Sequence, residues 1–204
     1  MYDEFAADFS ATRQRAWPEF EILAAQIKKN DKILDLGCGN ARLRKFLDKK
    51  KIPRGNYFGF DKSKKLLEIA KKNFPHDHFF CGDFAKKLIF ENEKFDVVAA
   101  IASFHHLQNF AAQQNFWRES ARILRPGGRI FLTNWILPRK FFWPNFWRLR
   151  FKNWIIPFGE KKIPRIYRRV SARELENFLR KNNFRKIAVK NFFGKNIVAI
   201  GEKI

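Results

Sequence analysis

Ile33 to Asn40, reading ILDLGCGN, constrains this chain more than any other stretch. A short apolar run leads directly into two glycines one residue apart, and an amphipathic segment, Ala41 to Lys50, follows. Strand, glycine turn and helix in that order form the opening unit of a parallel sheet, because parallel neighbours need a crossover connection rather than a hairpin. The same alternation continues downstream. Strands are expected at 32–37, 56–61, 78–83, 95–102 and 128–135, with helices at Ala41 to Lys50, Ser63 to Asn73 and Phe110 to Leu124. Arg125-Pro126-Gly127-Gly128 reads as the turn that ends the third of these helices. Later, Ser171 and Glu174 form a capping box that opens another amphipathic helix. Two further strands, 185–193 and 196–204, are joined so tightly around Gly194-Lys195 that they must run antiparallel.

The expected fold is therefore α/β: a Rossmann-like, doubly wound, seven-stranded sheet with a final antiparallel hairpin strand. A chain of 204 residues, 46% of them hydrophobic, suits one domain over 1–204. Residues 1–30 are expected to form an N-terminal helical cap, and 138–169 a basic aromatic insertion over the active site. No apolar run approaches the roughly 18 residues of a membrane span. The N-terminal MYDEFAADFS lacks the pattern of a targeting segment, so a cytoplasmic location is expected. Cys38 and Cys81 have no metal-ligand spacing and read as reduced thiols. No metal is expected.

The glycine loop narrows the ligand. Gly37 and Gly39 let backbone pass close to a bound group at the start of a helix. A dinucleotide fingerprint would need a third glycine where Arg42 stands, and no Gly-Lys-Ser/Thr follows for a triphosphate loop. Asp61, ending the second strand, is placed to take ribose hydroxyls. Cys81-Gly82-Asp83-Phe84, ending the third, offers a carboxylate and a ring face to an adenine.

This ordered set resembles the class I S-adenosylmethionine (SAM)-dependent methyltransferases from Lys32 to Ile204. Asp35, Gly37, Gly39 and Asn40 fit that family's first motif, Asp61 its ribose acid, and Asp83 with Phe84 its adenine motif. Cys38 within the loop and Ala102 at the end of strand four complete the cofactor-binding set that the resemblance implies, with SAM as cofactor.

Strand four runs on as ASFHHL, at the strand end where an active-site edge is expected. The Asn/Asp-Pro-Pro-aromatic turn of enzymes that methylate base amines is missing. His105 and His106 can serve as a general base or position an anion; as neighbours in sequence they suit a metal poorly. Together with YDEFAADFSATRQRAWPEF, RILRPGG and PRIYRRVSARELENFL, this stretch is similar to the tRNA wobble-uridine carboxymethyl methyltransferases, including the domain fused to an AlkB-type hydroxylase. The resemblance implies esterification of a carboxylate on a modified uridine in the anticodon loop of tRNA, and a small zinc-binding activator protein as partner. By position, Arg13, His105, His106, Trp135, Arg165 and Tyr167 are the expected acceptor-site residues. Arg165-Ile166-Tyr167-Arg168 stands where the family has an R-Y-Y-H-like stretch.

Charge supports a polyanionic partner. The net charge is +22, and residues 135–204 hold 18 Lys and Arg against 4 acids, net +14. A codon bias towards Phe, Lys, Asn and Ile is the competing source. Within this basic region lies PNFWRLRFKNW, Pro144 to Trp154. Arg148, Arg150 and Lys152 can neutralise phosphates there, while Trp143, Trp147 or Trp154 can stack on unpaired bases. The same composition suits a membrane surface and a quinone or lipid substrate, although Pro144 and Pro157 would limit a helix to about three turns. A plain aromatic lid over a small-molecule site is the third reading.

Overall fold

The computed structural model describes residues 2–12, 15–136, 153–159 and 162–204. Its main sheet has seven strands: β1 (Ile33–Leu36), β2 (Tyr57–Asp61), β3 (His78–Cys81), β4 (Phe95–Ile101), β5 (Leu124–Trp135), β8 (Phe184–Phe192) and β9 (Asn196–Lys203). Their order is β3-β2-β1-β4-β5-β9-β8, with the first five parallel and β9 antiparallel to both of its neighbours. A second sheet pairs β6 (Asn153–Phe158) with β7 (Ile163–Arg168). The helices are α1 (Ala6–Thr12), α2 (Glu19–Ala24), α3 (Arg42–Lys49), α4 (Lys64–Asn73), α5 (Phe110–Ile123) and α6 (Ala172–Lys181), with short 3-10 turns at Tyr2–Phe5 and Phe104–His106.

Alternation along the strands divides the core between two faces. Leu34, Leu36, Val98, Ala100, Ile130 and Leu132 join Phe116 and Trp117 of α5 and Leu175, Phe178 and Leu179 of α6. Ile33, Val97, Ala99, Phe131, Val198 and Ile200 point the other way, onto Phe20 and Leu23 of α2, Leu43, Phe46 and Leu47 of α3 and Leu67 and Ala70 of α4. A sheet covered on both faces explains why β1 and β4 read as nearly continuous apolar runs. Polar caps set the helix starts: Ser63 Oγ accepts from Leu66 N, Asn109 Oδ1 from Ala112 N, and Ser171 with Glu174 forms the expected capping box.

Three local expectations are corrected. Arg125 to Gly128 do not form a turn between helix and strand but lie inside β5 as a bulge: Leu124 pairs with Phe95, and the next pair is Arg129 with Val97. Gly127 at φ +73° supplies the bend, and Arg125 is tied to Asp96 across it. The segment around Pro157 is not helical. It is the strand β6, in which Pro157 faces Pro164 of β7. Trp154 is 6% exposed and sits opposite Tyr167, so it is a buried residue of this hairpin and not a surface on which a base could stack. Trp143, Trp147, Arg148, Arg150 and Lys152 lie outside the described residues, as does Arg13.

Candidate active site

A cavity of about 380 Å³ opens at the C-terminal ends of β1, β2 and β4, the edge where open parallel sheets carry their ligands. Every described residue singled out for cofactor or acceptor lines it. Tyr2, Phe9, Trp17, Arg42 and Ser103 line it as well.

The glycine loop is fixed by its own backbone. Gly37, at φ +81°, donates its N–H to Phe60 O at 2.7 Å, and a Cβ there would stand 2.4 Å from Ser103 Cβ. Gly39, at φ +55°, donates to Asp61 Oδ2 at 2.8 Å, while Asp61 Oδ1 accepts from Ser63 N at 2.8 Å. Burial pushes the Asp61 carboxyl up against these amide bonds. Asn40 donates to Ser10 Oγ at 2.9 Å, which ties the loop to α1. Cys38 is buried, and burial raises its thiol well above the ordinary value. Beneath the loop, Asp35 accepts the Tyr57 hydroxyl at 2.6 Å; burial pushes its carboxyl up to about 7, opposed by the Tyr57 bond.

Two further strand ends complete this half of the cavity. Asp83 accepts from Ala85 N at 2.9 Å and Lys62 Nζ at 3.0 Å; burial works to raise its carboxyl, but those two partners hold it below the usual range. Phe84 packs edge-on against Phe116. Ala102, following β4, is held at φ +51° by its N–H bond to Thr133 Oγ1 at 2.9 Å. A non-glycine residue in that region is strained, and such positions gather at functional sites.

The other half is aromatic. Trp135, ending β5, stacks on Tyr167 of β7 with ring centroids 5.3 Å apart and planes 6° from parallel. His105 lies 5.6 Å from Trp135 and 4.7 Å from Tyr167. His106 places Nδ1 3.3 Å from Ile166 O and Nε2 3.0 Å from the Tyr2 hydroxyl. A carbonyl only accepts, so Nδ1 is assigned the proton and Nε2 accepts from Tyr2. Burial lowers both imidazoles, His105 well below its ordinary range and His106 to about 4. Both are neutral at pH 7. Arg165 is 4% exposed, with its guanidinium 4.5 Å from the Phe158 ring centre and 5.2 Å from that of Tyr167. Among the described residues its Nε has no hydrogen-bond partner and no carboxylate comes within ion-pair distance of it, although the guanidinium acts on the Tyr2 hydroxyl, which burial raises and Arg165 works to lower.

Sequence reasoning passed over Tyr2 and Ser103. Ser103 carried a signal, as a hydroxyl residue just past the end of β4; it donates to Leu36 O at 2.6 Å and locks strand four to the glycine loop. Tyr2 carried none, since its partner is 104 residues away.

Residues 34–132 match the family described as "Methyltransferase domain". A SAM-dependent methyltransferase structure from Methanosarcina mazei superposes with a TM-score of 0.75, covering 93% of this chain and 98% of that one at 19% identity. The region is a class I methyltransferase domain. Its similarity to characterised methyltransferases divides between two substrates. The tRNA (carboxymethyluridine(34)-5-O)-methyltransferase alkbh8 of Xenopus tropicalis is 30% identical over 141 residues, 69% of this chain and 21% of that protein. The demethylmenaquinone methyltransferase of Thermotoga maritima is 33% identical over 129 residues, 63% of this chain and 54% of that protein. The methyltransferase domain thus spans about a fifth of one relative and half of the other.

Family and fold imply SAM as the cofactor, and the donor set fits it. Each Asp61 oxygen is engaged by one backbone N–H and keeps lone-pair capacity for a diol. Carboxylates stand at two successive strand ends beside the Phe84 ring, and a glycine at positive φ lets the chain pass close to a ligand. Among the described residues no cluster of His, Cys, Asp and Glu could hold a metal, and no helix is long and apolar enough to cross a membrane.

Proposed function

We propose that this chain methylates a carboxylate on a modified wobble uridine of tRNA, using SAM. The observation that carries the reading is Arg165: a buried guanidinium on the cavity wall, with an unpartnered Nε and no described acid beside it. A buried cation with no counter-ion among the described residues is costly, and an anionic acceptor would relieve that cost through charge-assisted hydrogen bonds.

The neighbouring groups agree with an acceptor that needs no base. Both His106 nitrogens are engaged, one at Ile166 O and the other at the Tyr2 hydroxyl. Among the described residues His105 Nδ1 has no partner, but burial makes the imidazole a very weak base. A carboxylic acid ordinarily loses its proton at a pH of about 4, so the acceptor is already ionised at neutral pH and no side chain has to remove a proton. SAM, when bound, supplies a methyl group on a sulfonium. Asp35, Gly37, Cys38, Gly39, Asn40, Asp61, Asp83, Phe84 and Ala102 would hold and orient it, Asp61 at the ribose and Asp83 with Phe84 at the adenine. Arg165 would hold the acceptor, and Trp135, Tyr167, His105 and His106 would wall it off from water. Arg13 is assigned to the acceptor on the resemblance alone.

The anticodon loop as partner, the zinc-binding activator and a cytoplasmic location belong to the same reading. Its support is the alkbh8 similarity and the C-terminal excess of positive charge. A quinone or lipid acceptor is the second reading. It is favoured by the Thermotoga maritima relative and by the near-parallel Trp135–Tyr167 stack, which presents flat rings on the cavity wall.

Arg165→Met separates them. With a carboxylate acceptor, the variant should raise KM for tRNA by about ten- to a hundredfold, the worth of a hydrogen bond to a charged group, and leave SAM affinity unchanged. Unaltered kinetics with tRNA would remove Arg165 from the acceptor site.

A further inference from the structure

The turn between β8 and β9 carries two costs at one residue. Phe193 holds φ +50°, in the left-handed region that a β-carbon resists, and its ring is 76% exposed. A lone exposed apolar side chain is ordinary on a protein surface, but a strained one that buries little in return points to a use outside the fold. The turn is nevertheless well fixed: Lys195 N donates to Phe192 O at 3.1 Å and Gly194 N to Asn191 Oδ1 at 3.0 Å. The Phe192 ring stands 4.4 Å from that of Phe193 and packs against the core. The exposed ring is therefore held ready, with little freedom left to lose on binding.

Its place in the sheet puts it on the cavity's edge. β9 runs antiparallel to β5, so the turn that precedes β9 lies where β5 ends. Trp135, on the acceptor side of the cavity, pairs with Asn196, and Ile136 N donates to Lys195 O at 2.9 Å. The surrounding chain is cationic: residues 177–201 hold six Lys and Arg and no acid, and Lys190 and Lys195, on either side of Phe193 in the chain, are both exposed. An exposed ring between cations suits an unpaired base and its flanking phosphates. A bilayer anchor would need a broad apolar face, whereas the exposed neighbours Lys190, Asn191, Gly194 and Lys195 leave Phe193 a single apolar point in the turn.

We propose that Phe193 stacks on an unpaired base of the RNA beside the nucleotide that enters the cavity, with Lys190 and Lys195 on the phosphates. The proposal rests on the tRNA reading of the acceptor and assigns the strained turn to docking, not to chemistry. The ring supplies affinity that tolerates any sequence, because every base has a face to stack, and the lysines supply salt dependence.

The test is binding of fluorescently labelled total tRNA to the full chain, read by anisotropy across a range of salt concentrations. Phe193→Asn keeps the turn and removes the ring; it should weaken tRNA binding by about five- to a hundredfold with the salt slope unchanged, and its melting transition serves as proof of fold. Phe193→Trp should retain binding. Lys190→Gln together with Lys195→Gln should instead reduce the slope of log affinity against log salt by about two. Unchanged tRNA affinity in Phe193→Asn would remove the ring from the RNA surface and leave the tRNA reading standing. A loss seen only with vesicles of phosphatidylcholine and phosphatidylglycerol would assign the turn to a membrane and overturn the proposal. Failure of the unaltered protein to bind tRNA would instead bring down the tRNA reading, and this proposal with it.

Discussion

The Tyr2 hydroxyl donates to Nε2 of His106 at 3.0 Å, joining the N-terminal turn to the end of β4 across 104 residues of chain. With Nδ1 committed to Ile166 O, the imidazole is locked neutral between two partners, and burial lowers its pKa to about 4.

Acid should therefore unfasten the N-terminal turn. His106 has a pKa near 6.5 unfolded and about 4 folded, so the unfolded chain binds the extra proton between those values. Its contribution is fully present above pH 6.5 and is lost as pH falls through 4, amounting to roughly 3 kcal/mol. Burial of His105 acts in the same direction, whereas the raised carboxyls of Asp35 and Asp61 act oppositely, losing stability as pH rises. Urea unfolding at pH 7 and pH 4.5 should show His106→Gln less acid-sensitive than the unaltered protein. Parallel pH profiles would contradict the locked imidazole.

Gly37→Ala should damage the site and the fold together. The new Cβ would stand 2.4 Å from Ser103 Cβ, at a φ of +81° that alanine resists. A loss of about 1–3 kcal/mol in unfolding free energy is expected, together with loss of cofactor binding. Ser103→Gly alongside it should recover part of the packing cost and none of the backbone cost. A Gly37→Ala protein of ordinary stability would show that the loop can move aside.

The β8–β9 turn holds Phe193 at φ +50° and Gly194 at φ +65°, closed by Lys195 N to Phe192 O at 3.1 Å. This backbone suits Asn-Gly, and Phe193 is 76% exposed, with little packing to lose. Phe193→Asn should stabilise by about 1 kcal/mol, a rise in Tm of about 2–4 °C for a chain of this size. Calorimetric melting would reveal it, and a fall in Tm would show that the Phe192–Phe193 ring contact outweighs the strain.

What could be read from the sequence was what its local order determines. Asp35, Asp61, Asp83 and Ala102 each follow or end an apolar run, so the period of the strands placed them at one edge of the sheet before any contact was known. The hidden features depend on partners distant in the chain. Arg125 to Gly128 read as a turn because Pro and Gly punctuate chains, yet β4 and Asp96 draw them into a bulge. Pro157 and Pro164 face each other in paired strands, because a two-stranded ribbon has open edges where a missing N–H is tolerated. Trp154 looked like a surface aromatic because its neighbours in sequence are basic; burial in the hairpin sets its role. Nothing local marked Tyr2 as the partner of His106.

Transfer of a radiolabelled methyl group from SAM into total tRNA, followed by mild alkali, distinguishes a carboxylate acceptor on RNA from every other acceptor. Label should enter tRNA and be released by alkali, as a methyl ester requires. Alkali-stable label in tRNA, or label only in a quinone-containing lipid extract, would contradict a carboxylate held by Arg165 as the acceptor.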